Sequence, residues 1–359
     1  MSATDANTRR LKVALAGCGR VALAAHLPAL ARERGVELVA LADGDPRQLR
    51  AAARHAPRAV LYDDWVALLE KSDAEALVVC LPNALHAAAA RAAFAHGLHV
   101  YLEKPLATNL DEGREVLAAW RRSGRVGMVG FNYRRNRLYA SVRQHVLATR
   151  LGELVAARTI FSTSEGAEDS RRGAPAWKRE RATGGGALLD LGSHHVDLLR
   201  FIFGQEVCEV SAEVWSRRAE GDCAALRLRL DGGLTVQSFF SRCAVEEDRL
   251  EIYGDAGSLT VDRYRSLDVS LTGATLAGAR IAQLRNKLAA LRHAPYLLEK
   301  RRAPAHEPSF SAALRAFIAA ASGGAGEAQP DLEDGYRSLE VICAAEESAR
   351  LRATVSIRE

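Results

Sequence analysis

The chain has 359 residues, 48% of them hydrophobic and 26% charged, with a net charge of +5. That composition suits a soluble protein of two domains. The small, dispersed positive charge gives no case for nucleic acid, and no run approaches the ~20 apolar residues that a membrane span requires.

Residues 1–9 are polar and read as a loose tail. Leu11–Ala16 is a short apolar run, the pattern of a buried parallel strand. It opens into Gly17-Cys18-Gly19-Arg20-Val21-Ala22, a G-x-G-x-x-A turn followed by an alanine-rich helix. Such glycines permit a tight turn and let a pyrophosphate approach backbone N–H groups at a helix N-terminus. Leu15-Ala16-Gly17-Cys18 has the form of a lipoprotein cleavage box, but Lys12 interrupts the run and too few apolar residues precede the cysteine. A second strand, Val36–Ala42, ends in Asp43, placed to grip a ribose 2′-hydroxyl. A turn role in Asp43-Gly44-Asp45-Pro46 is the competing reading. No arginine follows Asp43 at once, so NAD is favoured over NADP, with Arg47 left as a means of reaching a 2′-phosphate.

The alternation continues. Strands are expected at Ala59–Leu61, Ala76–Leu81, Leu98–Leu102 and Val126–Phe131, with helices between them at about Asp64–Lys71, from Pro82-Asn83-Ala84-Leu85-His86 to His96, and at Leu110–Arg122. This describes a doubly wound parallel sheet, whose ligands bind beyond the carboxyl ends of the strands. Gly17, Asp43, Pro82 and Lys104 all fall at such ends. Only six of the 49 basic residues are lysine. A lysine inside a motif, as in Glu103-Lys104-Pro105, therefore hints that a titratable amine is wanted.

After Asn132-Tyr133-Arg134 and a helix at about Asn136–Thr149 the pattern changes. Glu153–Ser162, Val207–Arg217, Ala224–Leu230, Thr235–Ser241, Arg249–Tyr253 and Ser258–Val261 read as strands, with tight turns at Asp231-Gly232-Gly233 and Gly254-Asp255-Ala256-Gly257. The fold class is α/β: an N-terminal Rossmann domain, residues 10–134, and a C-terminal α+β domain, 135–359, on a large open, mostly antiparallel sheet. Residues 270–308 are hard to read; Arg280–Leu298 has the spacing of a surface helix or lid. Ser309–Ala321 and Leu332–Arg350 are amphipathic helices joined by the Gly/Ala stretch 323–328. The six cysteines form no CxxC pair, which suits a reduced, cytoplasmic protein without a zinc ribbon.

Gly184-Gly185-Gly186 leads into Ala187-Leu188-Leu189-Asp190-Leu191-Gly192-Ser193-His194-His195-Val196-Asp197, a largely buried helix running to about Phe203 and stopped by Gly204. Asp190, His194 and Asp197, at i, i+4 and i+7, share one face. Polar groups in such a stripe need partners, so it is either an internal hydrogen-bond network or an active-site wall.

Read together, the glycine turn, Pro82-Asn83-x-x-His86, Glu103-Lys104-Pro105, Gly130-Phe131-Asn132-Tyr133-Arg134 and Asp190-x-Gly192-x-His194-x-x-Asp197 resemble the glucose–fructose oxidoreductase / inositol dehydrogenase / MocA (Gfo/Idh/MocA) family, over nearly the whole chain. The tail Asp334-Gly335-Tyr336-Arg337-Ser338-Leu339-Glu340 is similar to its closing helix. The resemblance implies NAD(P)-linked hydride transfer at a carbinol or ketone of a sugar, sugar derivative or cyclitol, and a homodimer or homotetramer built through the C-terminal sheet. It carries the catalytic lysine onto Lys104 and the paired acid and base onto Asp190 and His194. Cofactor contacts are then expected from Gly17, Cys18, Gly19, Arg20, Val21, Asp43, Leu81, Pro82, Asn83, His86, Glu103, Lys104 and Asn132. Substrate contacts are expected from Lys104, Tyr133, Arg134, Trp177, Asp190 and His194.

On this reading His194, held by a nearby carboxylate, moves the hydroxyl proton and Lys104 polarises the same oxygen. Asp190 orients the lysine or the substrate, Asp197 is structural, His195 packs behind, and the triple glycine serves close approach to the cofactor. Arg134, Arg171, Arg172, Arg179 and Arg181 would suit a phosphate or carboxylate on the substrate. Three rivals stand. A metal at Asp190 and His194 lacks a third ligand of obvious spacing. The others are a glycoside hydrolase using NAD transiently and a non-enzymatic NAD-binding regulator.

Overall fold

The computed structural model describes residues 9–164, 176–275, 294–324 and 328–357. The expected lid helix from Arg280, the Gly/Ala stretch at 325–327, Arg171 and Arg172 lie partly or wholly outside the described residues. The first layer is a six-stranded parallel sheet in the order β3-β2-β1-β4-β5-β6. Its strands are β1 (Leu11–Ala16), β2 (Val36–Ala42), β3 (Val60–Tyr62), β4 (Ala76–Val79), β5 (His99–Leu102) and β6 (Gly127–Val129). The central strands β1, β4 and β5 are apolar apart from Lys12 and His99 near their starts, because helices cover both faces. Those helices are α1 (Leu27–Leu30), entered through a π-helical turn at Ala22–His26, then α2 (Pro46–Ala53), α3 (Trp65–Lys71), α4 (His86–Ala95) and α5 (Leu110–Ser123). Caps mark the ends: Asn109 accepts from the Glu112 N–H at the start of α5, and Gly124 at φ +63° ends it.

After α6 (Arg137–Leu147) comes an eight-stranded sheet in the order β13-β12-β11-β7-β10-β9-β8-β14. Its strands are β7 (Leu154–Ser162), β8 (Val207–Trp215), β9 (Cys223–Leu230), β10 (Thr235–Ser241), β11 (Glu247–Gly254), β12 (Gly257–Asp262), β13 (Ser270–Gly273) and β14 (Val355–Ser356). All pairs are antiparallel except β7 with β10. Along β9, Ala224, Leu226, Leu228 and Leu230 point inward while Arg227 and Arg229 face out, the period-2 pattern of a one-sided sheet. The inner face packs on α7 (Ser193–Phe203) and on the long α10 (Leu332–Leu351), whose first turn carries an Asp331/Asp334 capping box.

Two further helices, α8 (Ala294–Arg302) and α9 (Pro308–Ala321), lie between β13 and α10. The sequence placed residues 135–359 in the second domain, but α9 returns to the first sheet. Ala313, Leu314, Phe317 and Ile318 share one apolar cluster with Leu15, Val78, Tyr101 and Met128. Residues 10–134 therefore do not close their own core; one face of the parallel sheet is covered from the far end of the chain. Among the described residues no helix is long and apolar enough to cross a membrane.

Candidate active site

Gly17 closes β1 at φ +90°, and a Cβ there would lie 2.4 Å from the Cys80 carbonyl oxygen, so the turn requires glycine. At Gly19 nothing lies within 4 Å of the Cβ direction, the open ground a phosphate needs beside backbone N–H groups. Arg20 and Val21 begin the helical turn that follows. Asp43, just past β2, accepts from the Cys18 N–H at 2.6 Å and from the Asp45 N–H at 2.7 Å. Both sequence readings of this acid thus coexist, since it braces its own turn and sits beside the glycine loop. Burial, helped by Asp43, pushes the Cys18 thiol up to about 12, so the sulfur stays protonated at neutral pH. The glycine cradle and the adjoining carboxylate fit NAD.

The next two strand ends are tied together. His86 points one ring nitrogen at the Leu81 carbonyl (2.9 Å) and the other at the Pro105 carbonyl (2.7 Å). Burial outweighs those two acceptors and holds its pKa below the usual histidine value, and a neutral ring donates to only one of them at a time. His86 is thus a brace between the loop after β4 and the Lys104 loop, with both ring nitrogens committed, rather than the cofactor ligand expected. Asn83 donates to the Gly184 carbonyl at 2.8 Å, and a Cβ on Gly184 would meet the Asn83 Cβ at 2.4 Å. The close approach served by the triple glycine is therefore to Asn83, and at Gly185 to the Lys178 and Glu180 carbonyls. The Glu103 carboxylate turns into the core against His26 (2.6 Å), and the Asn132 amide donates to the Ser309 hydroxyl (2.7 Å). Both were expected at the cofactor, and both side chains are engaged instead with partners inside the protein.

Lys104 crosses the boundary between the two layers. Its Nζ donates to Asp190 Oδ1 at 2.7 Å and to the Asp190 carbonyl at 2.8 Å. The Lys104–Pro105 peptide bond is cis. Lys178 Nζ lies 3.8 Å, and Arg242 Nε 3.7 Å, from Asp190 Oδ2. Burial opposes the charge on Asp190, but Lys104, then Lys178 and Arg242, more than offset it and hold the carboxyl well below the usual range. Arg242 was not singled out in the sequence. It follows β10, 52 residues beyond Asp190, and nothing local marks it.

Residues Leu188–Gly192 form a π-helical turn before α7, so Asp190 does not keep the 3.6-residue register that put it in one stripe with Asp197. Asp190 meets Lys104, whereas Asp197 is fully buried in a bidentate pair with Arg134 (2.6 and 2.9 Å). Arg134 also bonds Asp334 at 3.0 Å. Its guanidinium is committed to two carboxylates inside the protein, which corrects its assignment to the substrate. Arg181 is likewise taken by Glu346 and the Thr108 carbonyl.

His194 is half-buried and stacks on Tyr133, centroids 4.5 Å apart and planes 17° from parallel, with Phe131 and Phe161 at 6.2 Å. The carboxylate expected to orient it is absent among the described residues: its buried Nδ1 has no hydrogen-bond partner. The carboxylate–histidine pair on this helix belongs to its neighbour, His195 Nε2 with Asp248 at 3.0 Å. Burial first, then the charge of Lys104, keeps His194 well below the usual histidine value, so the ring is a neutral base at neutral pH. Tyr133 gives its hydroxyl to Asp248 (3.0 Å) and offers the site only its ring. Trp177 is half-buried beside Lys178, whose ammonium lies 5.7 Å from the indole centroid. Among the described residues no third metal-ligating side chain joins Asp190 and His194. The one such trio is Asp222, Cys223 and Cys243.

Residues 11–131 match the family model described as "Oxidoreductase family, NAD-binding Rossmann fold", and 139–260 match the GFO/IDH/MocA C-terminal domain. A dTDP-3,4-didehydro-2,6-dideoxy-alpha-D-glucose 3-reductase of Streptomyces violaceoruber is 30% identical over 71% of this chain and 73% of its own. A D-apiose dehydrogenase of Paraburkholderia graminis is 29% identical over 100% of this chain and 92% of its own. The fold is also that of the WlbA dehydrogenase from Bordetella pertussis, solved in complex with NADH and UDP-GlcNAcA, at a TM-score of 0.81 and 23% identity with both chains fully covered. Because the two family models between them cover both layers of the fold, this chain belongs to the GFO/IDH/MocA family of NAD-binding oxidoreductases.

Proposed function

We propose that the protein moves a hydride between NAD and a carbinol or ketone carbon of a sugar, sugar derivative or cyclitol. The observation that carries this is the meeting of Lys104 and Asp190 beside a neutral His194, at the carboxyl end of a Rossmann sheet. NAD would be held at the open turn around Gly19 and the helix start at Arg20 and Val21, with Asp43 on the ribose, and when bound supplies the hydride acceptor or donor. His194, uncharged at neutral pH, takes the hydroxyl proton in oxidation and returns it in reduction. Lys104 polarises the substrate oxygen, and Asp190 fixes the amine where that oxygen must sit. Lys178 and Trp177 border the substrate.

The relatives' names support this substrate class: one is a reductase of a deoxysugar nucleotide and another a dehydrogenase of D-apiose. We further propose a homodimer or homotetramer formed through the outer face of the eight-stranded sheet. Support comes from Trp215 and Tyr253, large side chains exposed on the outward positions of β8 and β11. A reducing, cytoplasmic setting suits six free cysteines.

The test is an NAD-coupled screen with myo-inositol, D-apiose, aldoses, sugar acids and nucleotide sugars, run on the native chain, Lys104→Ala and His194→Ala. Each variant should lose at least ~10²-fold in turnover, the scale of a missing acid–base group, while still binding NAD. Wild-type rates in both would sink the assignment.

A further inference from the structure

Asp248 lies on β11 and is fully buried, in contact with none of Lys104, Asp190 or His194 by any hydrogen bond among the described residues. Its Oδ1 accepts from the Tyr139 hydroxyl at 2.7 Å and from His195 Nε2 at 3.0 Å. Its Oδ2 accepts from the Tyr133 hydroxyl at 3.0 Å and from Arg263 Nε at 2.6 Å. A carboxylate has about four acceptor positions, and here all four are used, by groups from four separate stretches of the chain. Burial opposes its charge, but Arg263 and His195 outweigh that and keep it ionised.

Three of those donors bear on His194. Tyr133 stacks on its ring, and the tyrosine's tilt is set by the bond from its hydroxyl to Asp248. Arg263 lies 4.6 Å over the same tyrosine ring while bonded to the same carboxylate. His195, the next residue on α7, is anchored to Asp248 and stacked on Phe161 at 5.2 Å. His194 itself has no hydrogen bond on Nδ1 to hold it, so its orientation depends on this ring contact and on its helix. We infer that Asp248 is a positioning residue for His194, acting through the Tyr133 ring on one side and through His195 on the other. The inference rests on the acid–base role proposed for His194. In that role Asp248 replaces the directly bonded carboxylate that a catalytic histidine ordinarily uses, at one remove and through a π-stack.

The experiment uses Asp248→Asn and Tyr133→Phe, each alone and combined with His194→Ala. The assay is NAD reduction with whichever compound of the screen above gives the fastest wild-type rate. Alone, Asp248→Asn should lower kcat ~10²-fold and Tyr133→Phe, which keeps the ring, ~10-fold, within the range of a misplaced general base. The NAD dissociation constant should stay within about twofold. In the His194→Ala background neither change should lower kcat further, because groups that act as one unit are not additive. The His194 imidazole proton resonances supply a readout that needs no substrate: stacking on Tyr133 gives them a ring-current shift, which Asp248→Asn should alter. Losses that multiply with His194→Ala, or an unaltered His194 resonance in Asp248→Asn, would overturn the inference. Wild-type turnover in His194→Ala alone would instead remove the base from under it, a failure of the functional reading recognisable as such. If Asp248→Asn does not fold, Tyr133→Phe in both backgrounds decides by the same additivity criterion.

Discussion

Lys104 and Asp190, 86 residues apart in sequence, are joined twice: Nζ donates to the side-chain carboxylate and to the main-chain carbonyl of the same residue. The second bond fixes the amine against backbone, so its position does not depend on the carboxylate rotamer alone. Asp190 also gathers Lys178 and Arg242 within 4 Å, and its charge balances a cluster of cations. Asp190→Asn keeps the shape and removes that charge. The expected result is a ~10²-fold lower kcat with little change in NAD affinity, read by steady-state kinetics and by a fluorescence titration with NAD. A loss confined to NAD binding would contradict the placement of Asp190 on the substrate side.

The electrostatics of the same cluster set a pH dependence. His194 is held below the ordinary histidine value of about 6.5 by burial and then by the positive charge of Lys104, with Asp190 opposing. Its neutral, base form therefore persists to lower pH than for a solvated histidine, and the acid limb of activity should fall below 6.5. The signs of two substitutions follow. Lys104→Met removes a neighbouring cation and should raise the His194 pKa toward its ordinary value. Asp190→Asn removes the opposing anion and should lower it further. Imidazole resonances followed by NMR against pH in the free protein check both, and the reverse order of the two variants would refute this account.

What could be read from the chain and what could not divides by range. Gly17, Asp43 and Lys104 stand at strand ends inside short motifs, where local pattern and position carry the chemistry. Asp190 and His194 stood out because polar residues in an apolar helix demand a reason. The partners were not legible. Asp248 is one acid among 44, on a strand whose alternation says only which way it faces. Arg134 looks like a pocket arginine until Asp334, 200 residues later, folds back beside it. The π-helical turn at Leu188–Gly192 leaves no mark that 3.6-residue counting detects, so Asp190 and Asp197 were placed on one face though they serve different partners. The return of α9 to the first sheet is invisible for the same reason, since an amphipathic pattern shows that a face is covered and not by what.

Arg134 and Asp197 provide a stability test free of catalysis. Asp197 is fully buried, and its two oxygens take the Arg134 Nε and Nη2 bonds, so Asp197→Ala leaves a guanidinium with Asp334 as its remaining carboxylate partner. Breaking a buried pair by removing one partner costs about 3–5 kcal/mol, and the retained Asp334 contact argues for the lower end. At about 3 kcal/mol the melting temperature of a chain this long should fall by about 4 °C in a thermal scan. NAD affinity should change little, because neither residue faces the glycine loop.

His86 links the ends of β4 and β5 through the Leu81 and Pro105 carbonyls, and Pro105 directly follows Lys104. Replacing it with alanine removes the one ring N–H that these two carbonyls share, at about 1–3 kcal/mol for a carbonyl left unsatisfied. It also frees the backbone that aims Lys104. His86→Ala should therefore lower kcat by roughly 10-fold, the scale expected when a reacting group is held loosely rather than removed. His86→Gln offers a donor at the end of a longer, more flexible stem and should recover part of that loss. Steady-state kinetics of the two variants, with circular dichroism to confirm that both fold, makes the comparison. Equal kcat in the alanine variant and the wild type would mean that the loop holds Lys104 without the brace, and that His86 serves only the packing of α4.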